Sequence, residues 1–191
     1  MVKRVLLFFW VLALAGRAHA TLTRQLNAEE LIGQADRIVV GHVLSVDGIP
    51  GRNGGYPEID TTVQVGGIFK GAGSETIVVR QRGELNPRSR ANLIFTPVLF
   101  RKGDRVFLFL SGRNEFSGPV GKGQGAFRVA PDGSRVTNRF GNRGLFNGIQ
   151  GSALRTLVRQ RGLAVAPPKG TVPLTLDDWK EMISTHLRET K

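Results

Sequence analysis

Hydrophobic and polar positions recur along this chain with two different periods, and the change from one to the other marks its elements. Ala28, Leu31, Ile32 and Ala35 fall at i, i+3, i+4 and i+7, one apolar helix face, behind an Asn27 cap with Glu30 in capping-box position. Asp36 and Arg37 close that helix. Ile38 to Val46 (IVVGHVLSV) is β-branched and almost continuously apolar, which predicts a strand covered on both sides. Asp47 to Pro57 (DGIPGRNGGYP) is dense in Gly, Pro and Asn and reads as an exposed connection. From Ile59 the period is two: Thr61, Val63 and Val65 share one face and Asp60, Thr62 and Gln64 the other. Gly66-Gly67 then permits a bulge that re-seats Ile68 and Phe69. A long strand kinked in this way suits a sheet that curls into a small barrel.

Thr76 to Gln81 (TIVVRQ) predicts a third strand, and Arg82 to Thr96 an irregular, mobile insertion. In Arg105 to Leu110 (RVFLFL), Val106, Leu108 and Leu110 alternate with Phe107 and Phe109, so both faces are apolar. Gly118 to Val129 and Ser134 to Thr137, joined across Asp132-Gly133, predict a closing hairpin. Arg139 to Gly148 is a Gly/Asn loop, and Ser152 to Arg161 a short helix with Leu154, Leu157 and Val158 inward. Leu163 to Pro173 is a linker. Thr175 and Asp178 start a last helix with Leu176, Trp179, Ile183 and Leu187 as its stripe and Met182 beside them. Without the strand–helix alternation of a parallel α/β sheet, this order predicts a mainly β fold. Its centre is an OB-like, closed or partly open antiparallel barrel over residues 21–137. A basic loop, short helix and Pro/Gly linker (138–173) and a C-terminal helix (174–191) follow.

The segments "DRIVVGHVLSV", "TTVQVGGIFKG", "TIVVRQRG", "GDRVFLFL" and "GQGAFRV" resemble, in order, a group of exported, uncharacterised bacterial proteins. The barrel of that group is similar to the netrin-like OB-fold of the tissue inhibitors of metalloproteinases. The most distinctive piece is the strand ending Phe69-Lys70-Gly71. The resemblance covers about Asn27 to Thr137 and implies that fold, with inhibition or partnering of an exported protease as a functional expectation. Those inhibitors grip zinc through an N-terminal cysteine, a residue type this chain lacks.

The ends add an address. Lys3 and Arg4 precede an apolar run, Val5 to Ala15, and Ala18-His19-Ala20 offers small residues at both positions a signal peptidase reads, so residues 1–20 are expected to be a cleaved signal peptide. The expected compartment is the periplasm or the cell exterior, with no membrane span after cleavage. The absence of cysteine agrees with a periplasm better than with a cystine-rich secretion, and removes thiolate zinc sites and cysteine nucleophiles. The full chain's formal charge of +12 falls to +9 once Lys3, Arg4 and Arg17 leave with the signal, and this favours anionic partners.

Catalytic patterns are sparse. His42 reads as a core or barrel-end residue and His186 as a surface residue near a helix C-terminus, with no metal-ligand spacing between them. Ser45, His42 and Asp47 fail as a triad because strict alternation puts His42 and Ser45 on opposite faces, and no G-x-S-x-G elbow exists. Gly121 to Gly125 lies between strands, where a phosphate loop does not belong. The expectation is therefore a non-catalytic binding module with no cofactor and no resident metal. Its partner is expected to be a protein or an anionic polymer outside the cytoplasm. Candidate anion-binding residues are Arg82, Arg88, Arg90, Arg139, Arg143, Arg155, Arg159 and Arg161. Export and few exposed-type aromatics weigh against nucleic acid.

Overall fold

A computed structural model describes residues 24–51, 55–112, 116–163 and 174–190. The expected signal peptide, the first residues of the polar lead, the tip of the 47–57 connection and most of the 163–173 linker lie outside the described residues. Helix α1 (Ala28–Gln34) leads into strands β1 (Arg37–Ile49), β2 (Glu58–Lys70) and β3 (Thr76–Arg82). Helix α2 (Arg90–Phe95) precedes β4 (Arg105–Ser111), β5 (Phe116–Pro119), β6 (Ala126–Val129) and β7 (Val136–Asn138), and helices α3 (Ser152–Gln160) and α4 (Leu176–Glu189) complete the chain. The sheet runs β1-β2-β3-β5-β4-β6-β7, and β1 also pairs with β4, so five strands close into a barrel while β6 and β7 extend it. The β3–β5 pair is parallel and the others are antiparallel. The fold is thus mainly β and OB-like, with helices at both ends of the chain.

Closure depends on bulges, and more of them than the glycine pair announces. On β2 the register skips Gly66 and Phe69, and on β1 it skips Leu44. The Leu44 bulge reverses the alternation of β1. His42 pairs with Gln64 and Ser45 with Thr62, so His42 and Ser45 share a face, contrary to strict alternation. Close approach of β1 to β2 requires Gly41: a Cβ there would stand 2.2 Å from the Gln64 carbonyl oxygen and 2.7 Å from a Val63 methyl. The expected two-sided cover of β1 holds over Ile38 and Val39; by Leu44, 41% exposed, one face is bare.

Two cores result, one on each side of β4. Val39, Val43, Val63, Ile77, Val79, Val106, Leu108 and Leu110 fill the barrel. On its outer side Phe107, Phe109 and Phe127 meet Trp179 of α4 with ring centroids 4.9–5.8 Å away, and α1 and α3 complete that layer through Leu31, Ile32, Leu154 and Leu157. Phe69-Lys70-Gly71 ties β2 to this layer. Phe69 packs edge-on to Phe107, Lys70 Nζ donates to the Ile32 carbonyl at the end of α1 (2.7 Å), and Gly71 takes a left-handed φ of 77° beside the Asp36 carbonyl. Burial lowers the Lys70 pKa, with Asp36 opposing.

His186 differs from the expectation of a surface residue, whereas His42, at the last rung of the β1–β4 ladder, takes the barrel-end alternative. Trp179, Met182, Ile183 and His186 lie at i, i+3, i+4 and i+7 of α4, so the face that buries Trp179 also buries His186. His42 stays exposed because the helical layer ends short of it on the outer face of β1. The helices also cap one another. Gly151 gives α3 no side-chain cap; the N–H groups of Gln150 and Gly151 donate to Glu29 of α1, and that of Ala153 donates to Glu189 of α4 (2.6 Å).

Two outcomes follow from this packing. Gly41→Ala is expected to push β1 from β2 and destabilise the protein by about 1–3 kcal/mol or more in urea unfolding, the usual range for overpacking; an unchanged midpoint would show that the strands can part freely. The Ala153 N–H foremost holds the Glu189 carboxyl below its ordinary pKa, and the Asn27 N–H does the same for Glu30. Their stabilisation is present above the ordinary carboxylate range and is lost as the pH falls through the lowered folded-state values. Melting temperature should therefore drop on acidification from pH 6 to 3, and Glu189→Gln should lower it at pH 6 and much less at pH 3.

Candidate functional site

The insertion after β3 is an ordered cap over the barrel mouth, whereas its composition predicts a mobile loop. Asn92 organises it: Oδ1 accepts from the Glu84 N–H (2.8 Å), and Nδ2 donates to the Glu84 and Asn86 carbonyls (2.8 and 2.9 Å). Ser89 caps α2 through the Ala91 N–H, and Thr96 ends it in a left-handed conformation. Gly83 lets this cap close, since a Cβ there would meet Pro97 at 2.6 Å. Buried Gln81 on β3 then clasps the following segment, donating to the Val98 carbonyl (3.1 Å) and accepting from its N–H (3.0 Å). Val98 and Phe100 plug the barrel core. From the other side, Arg139 donates to the Thr96 carbonyl and Arg128 to the Leu99 carbonyl.

The cap presents large apolar side chains outward beside its arginines. Leu93 is 80% exposed, Ile94 67%, Tyr56 57% and Leu85 46%, and Phe95 meets Tyr56 edge-on at 4.7 Å. Two pockets flank this patch and share Arg80 and Arg82. One, of about 370 Å³, runs between β3, the α2 end and the β5–β6 turn, with Ile94, Phe95 and Lys122 in its walls. The other, of about 580 Å³, opens toward Ile49 and Tyr56.

The cations around the patch are not equivalent. Arg80 is bound bidentately by Asp60 (2.7 and 2.6 Å) with Glu58 at 3.5 Å, and its pKa is raised, foremost by the Asp60 hydrogen bond. Arg82 lies over the Phe95 ring at 5.9 Å, and neither it nor Lys122 has a carboxylate partner among the described residues. Arg88 and Arg90 stand exposed at the start of α2.

The other candidate arginines belong elsewhere. Arg139 reaches the cap through Thr96 and lies over Phe140, while Arg143 donates to the Phe140 carbonyl in its own loop. Arg155 and Arg159 line a different pocket of about 400 Å³ beside Phe146 and Ile149, and Arg161 is ion-paired with Glu181. The eight arginines therefore do not form one face. Tyr56, Leu93 and Ile94 escape a reading that follows charge alone, and the apolar pair Leu93-Ile94 inside a polar insertion is the signal that points to that surface.

The catalytic patterns weighed on the sequence have these geometries. Ser45 Oγ donates to Asp47 (2.8 Å), and among the described residues no hydrogen bond joins His42 to either. Among the same residues no three His, Asp or Glu side chains converge as metal ligands would. The glycine run 121–125 makes a tight turn between β5 and β6, with Gly121 and Lys122 left-handed. Gln124 in this turn grips the N-terminal lead, accepting from the Leu26 N–H (2.7 Å) and donating to the Arg24 carbonyl (3.0 Å). No described helix is long and apolar enough to cross a membrane. No protein-family model matches the chain, and no match is found among curated proteins.

Proposed function

We propose that this chain is an exported, non-catalytic binding module whose α2 cap and flanking pockets take an acidic protein surface carrying apolar anchors. Exposed Leu93 and Ile94 on α2, with Tyr56 packed on Phe95 of the same helix and with Arg82 and Lys122 lacking a carboxylate partner among the described residues, carry this reading. Exposed apolar side chains are ordinary when scattered, but a contiguous group rimmed by charge is the anatomy of an interface centre. The OB-like barrel supports it by analogy, since such barrels bind ligands over strands β2 and β3 and the β1–β2 connection, where the larger pocket lies. A polyanionic chain would use the arginines and leave Leu93 and Ile94 idle.

The experiment places a photo-crosslinking residue at position 94, or at the exposed control position 184, in the envelope of the producing cell. Adducts are expected at position 94 alone, competed by wild-type protein and about tenfold less well by the double variant Leu93→Asp/Ile94→Asp, as for interface anchors. Equal adducts at both positions would sink the reading, and heparin retention that survives the double variant would favour an anionic polymer.

A second reading, partnering or inhibition of an exported metalloprotease, rests on the netrin-like resemblance and on one observation. Gln124 pre-orders the lead beside the turn that lines the smaller pocket, which lowers the entropy a projecting wedge would lose on docking. If the lead is that wedge, Gln124→Ala should weaken inhibition of a co-exported metalloprotease roughly tenfold while the barrel stays folded. Full activity of that protease in the presence of the wild-type protein removes this reading.

A further inference from the structure

A second basic site, independent of the α2 patch, lies where β1, β4, β6 and the β6–β7 turn meet. His42 and Arg105 oppose each other across the β1–β4 ladder, and residues so opposed project to the same face. The Arg105 guanidinium reaches to the turn at Gly133, 3.6 Å from where a Cβ would stand, and Arg135 follows in the same turn. Arg128 and Thr137, register partners on β6 and β7, share the barrel-side face of Val106, so the pocket of about 570 Å³ that they line together with His42, Arg105 and Arg135 reaches round the strand ends.

The acids near this pocket are already engaged. Asp104 accepts from the Arg101 N–H (2.9 Å) and from Arg128 Nε (3.3 Å). Asp132 accepts from the Ser134 hydroxyl (2.7 Å) and N–H (3.0 Å), which hold its carboxyl below the ordinary range, with Arg135 contributing last. Neither Arg105 nor Arg135 forms a salt bridge among the described residues. Arg101 and Lys102, exposed on the turn before β4, add charge of the same sign. Two guanidinium forks without carboxylates thus border a concave site whose own acids are bonded elsewhere.

We propose that this pocket binds a phosphate or sulfate group, held by Arg105 and Arg135, with His42 and Thr137 as further hydrogen-bonding groups in its lining. A guanidinium presents paired N–H donors matched to two oxygens of a tetrahedral oxyanion, and two such forks suit a group with several charged oxygens. Its volume of about 570 Å³ leaves room beside the oxyanion for a molecule that carries the group as an ester.

The test titrates the isotopically labelled full chain with glucose 6-phosphate and, separately, with glucose 6-sulfate, following guanidinium and amide NMR signals at low and at physiological salt. Saturable shifts are expected at the Arg105 and Arg135 side chains and at the Gly103 and Thr137 amides, and the tighter ester identifies the source. Arg105→Gln with Arg135→Gln should weaken binding about tenfold or more, as loss of charge-assisted hydrogen bonds does. Arg155→Gln with Arg159→Gln should leave it unchanged. Arg135→Gln alone, on an exposed turn, repeats the test if the Arg105 variant unfolds. Absence of saturable shifts with both esters overturns the proposal, and so does equal weakening in the Arg155/Arg159 pair, which would mean diffuse surface attraction only.

Discussion

Strand β4 has no solvent-facing side over its apolar stretch, and both cores depend on it. Val106, Leu108 and Leu110 fill the barrel, while Phe107 and Phe109 are sealed beneath Trp179 of α4. Full burial of five such side chains is worth on the order of 10 kcal/mol gross, comparable to the whole net stability of a domain. The same strand supplies the β1–β4 ladder that closes the barrel. Closure and helix docking are therefore parts of one event: a strand this apolar has nowhere stable to lie until both layers cover it.

The barrel mouth is shaped by that constraint. Once the ladder closes, the chain between β3 and β4 must cross the open end, and it does so by lowering Val98 and Phe100 into the core. Gln81 satisfies the backbone of that segment from within, where unpaired amide groups would be costly. The rest of the crossing, anchored at both ends and by Asn92, stands outside with Leu93 and Ile94 on its outer surface. An ordered cap with an apolar exterior is what a binding surface needs, since little conformational freedom remains to be lost on association.

Regular elements were legible where one periodicity ran long enough to be unambiguous. The capping boxes at Asn27–Glu30 and Thr175–Asp178, the two-faced apolar pattern of β4 and the Gly66 kink all read correctly from local residues. The insertion did not, because Asn92 holds it through contacts with residues six and eight positions away, and such hydrogen bonds leave no period. The same limit misled the reading of β1: Leu44 carries no mark of a bulge, yet skipping it returns Ser45 to the face of His42. The candidate arginines were legible as a surplus but not as a site, since neighbours in sequence such as Arg159 and Arg161 go to a pocket wall and to an ion pair.

The sequence by itself determined most of the helices and strands, though not α2 or the break between β5 and β6, together with the curl of the sheet and the cationic surface, because propensity, capping, periodicity and charge are local or summed quantities. Only the tertiary structure decided where that surface becomes concave and which cations go unpaired. His42 is exposed, His186 is buried, and Arg105 and Arg135 line one pocket. These outcomes depend on where one layer ends and another begins. Burial and pairing are relations between distant residues, and a one-dimensional pattern records only one partner at a time.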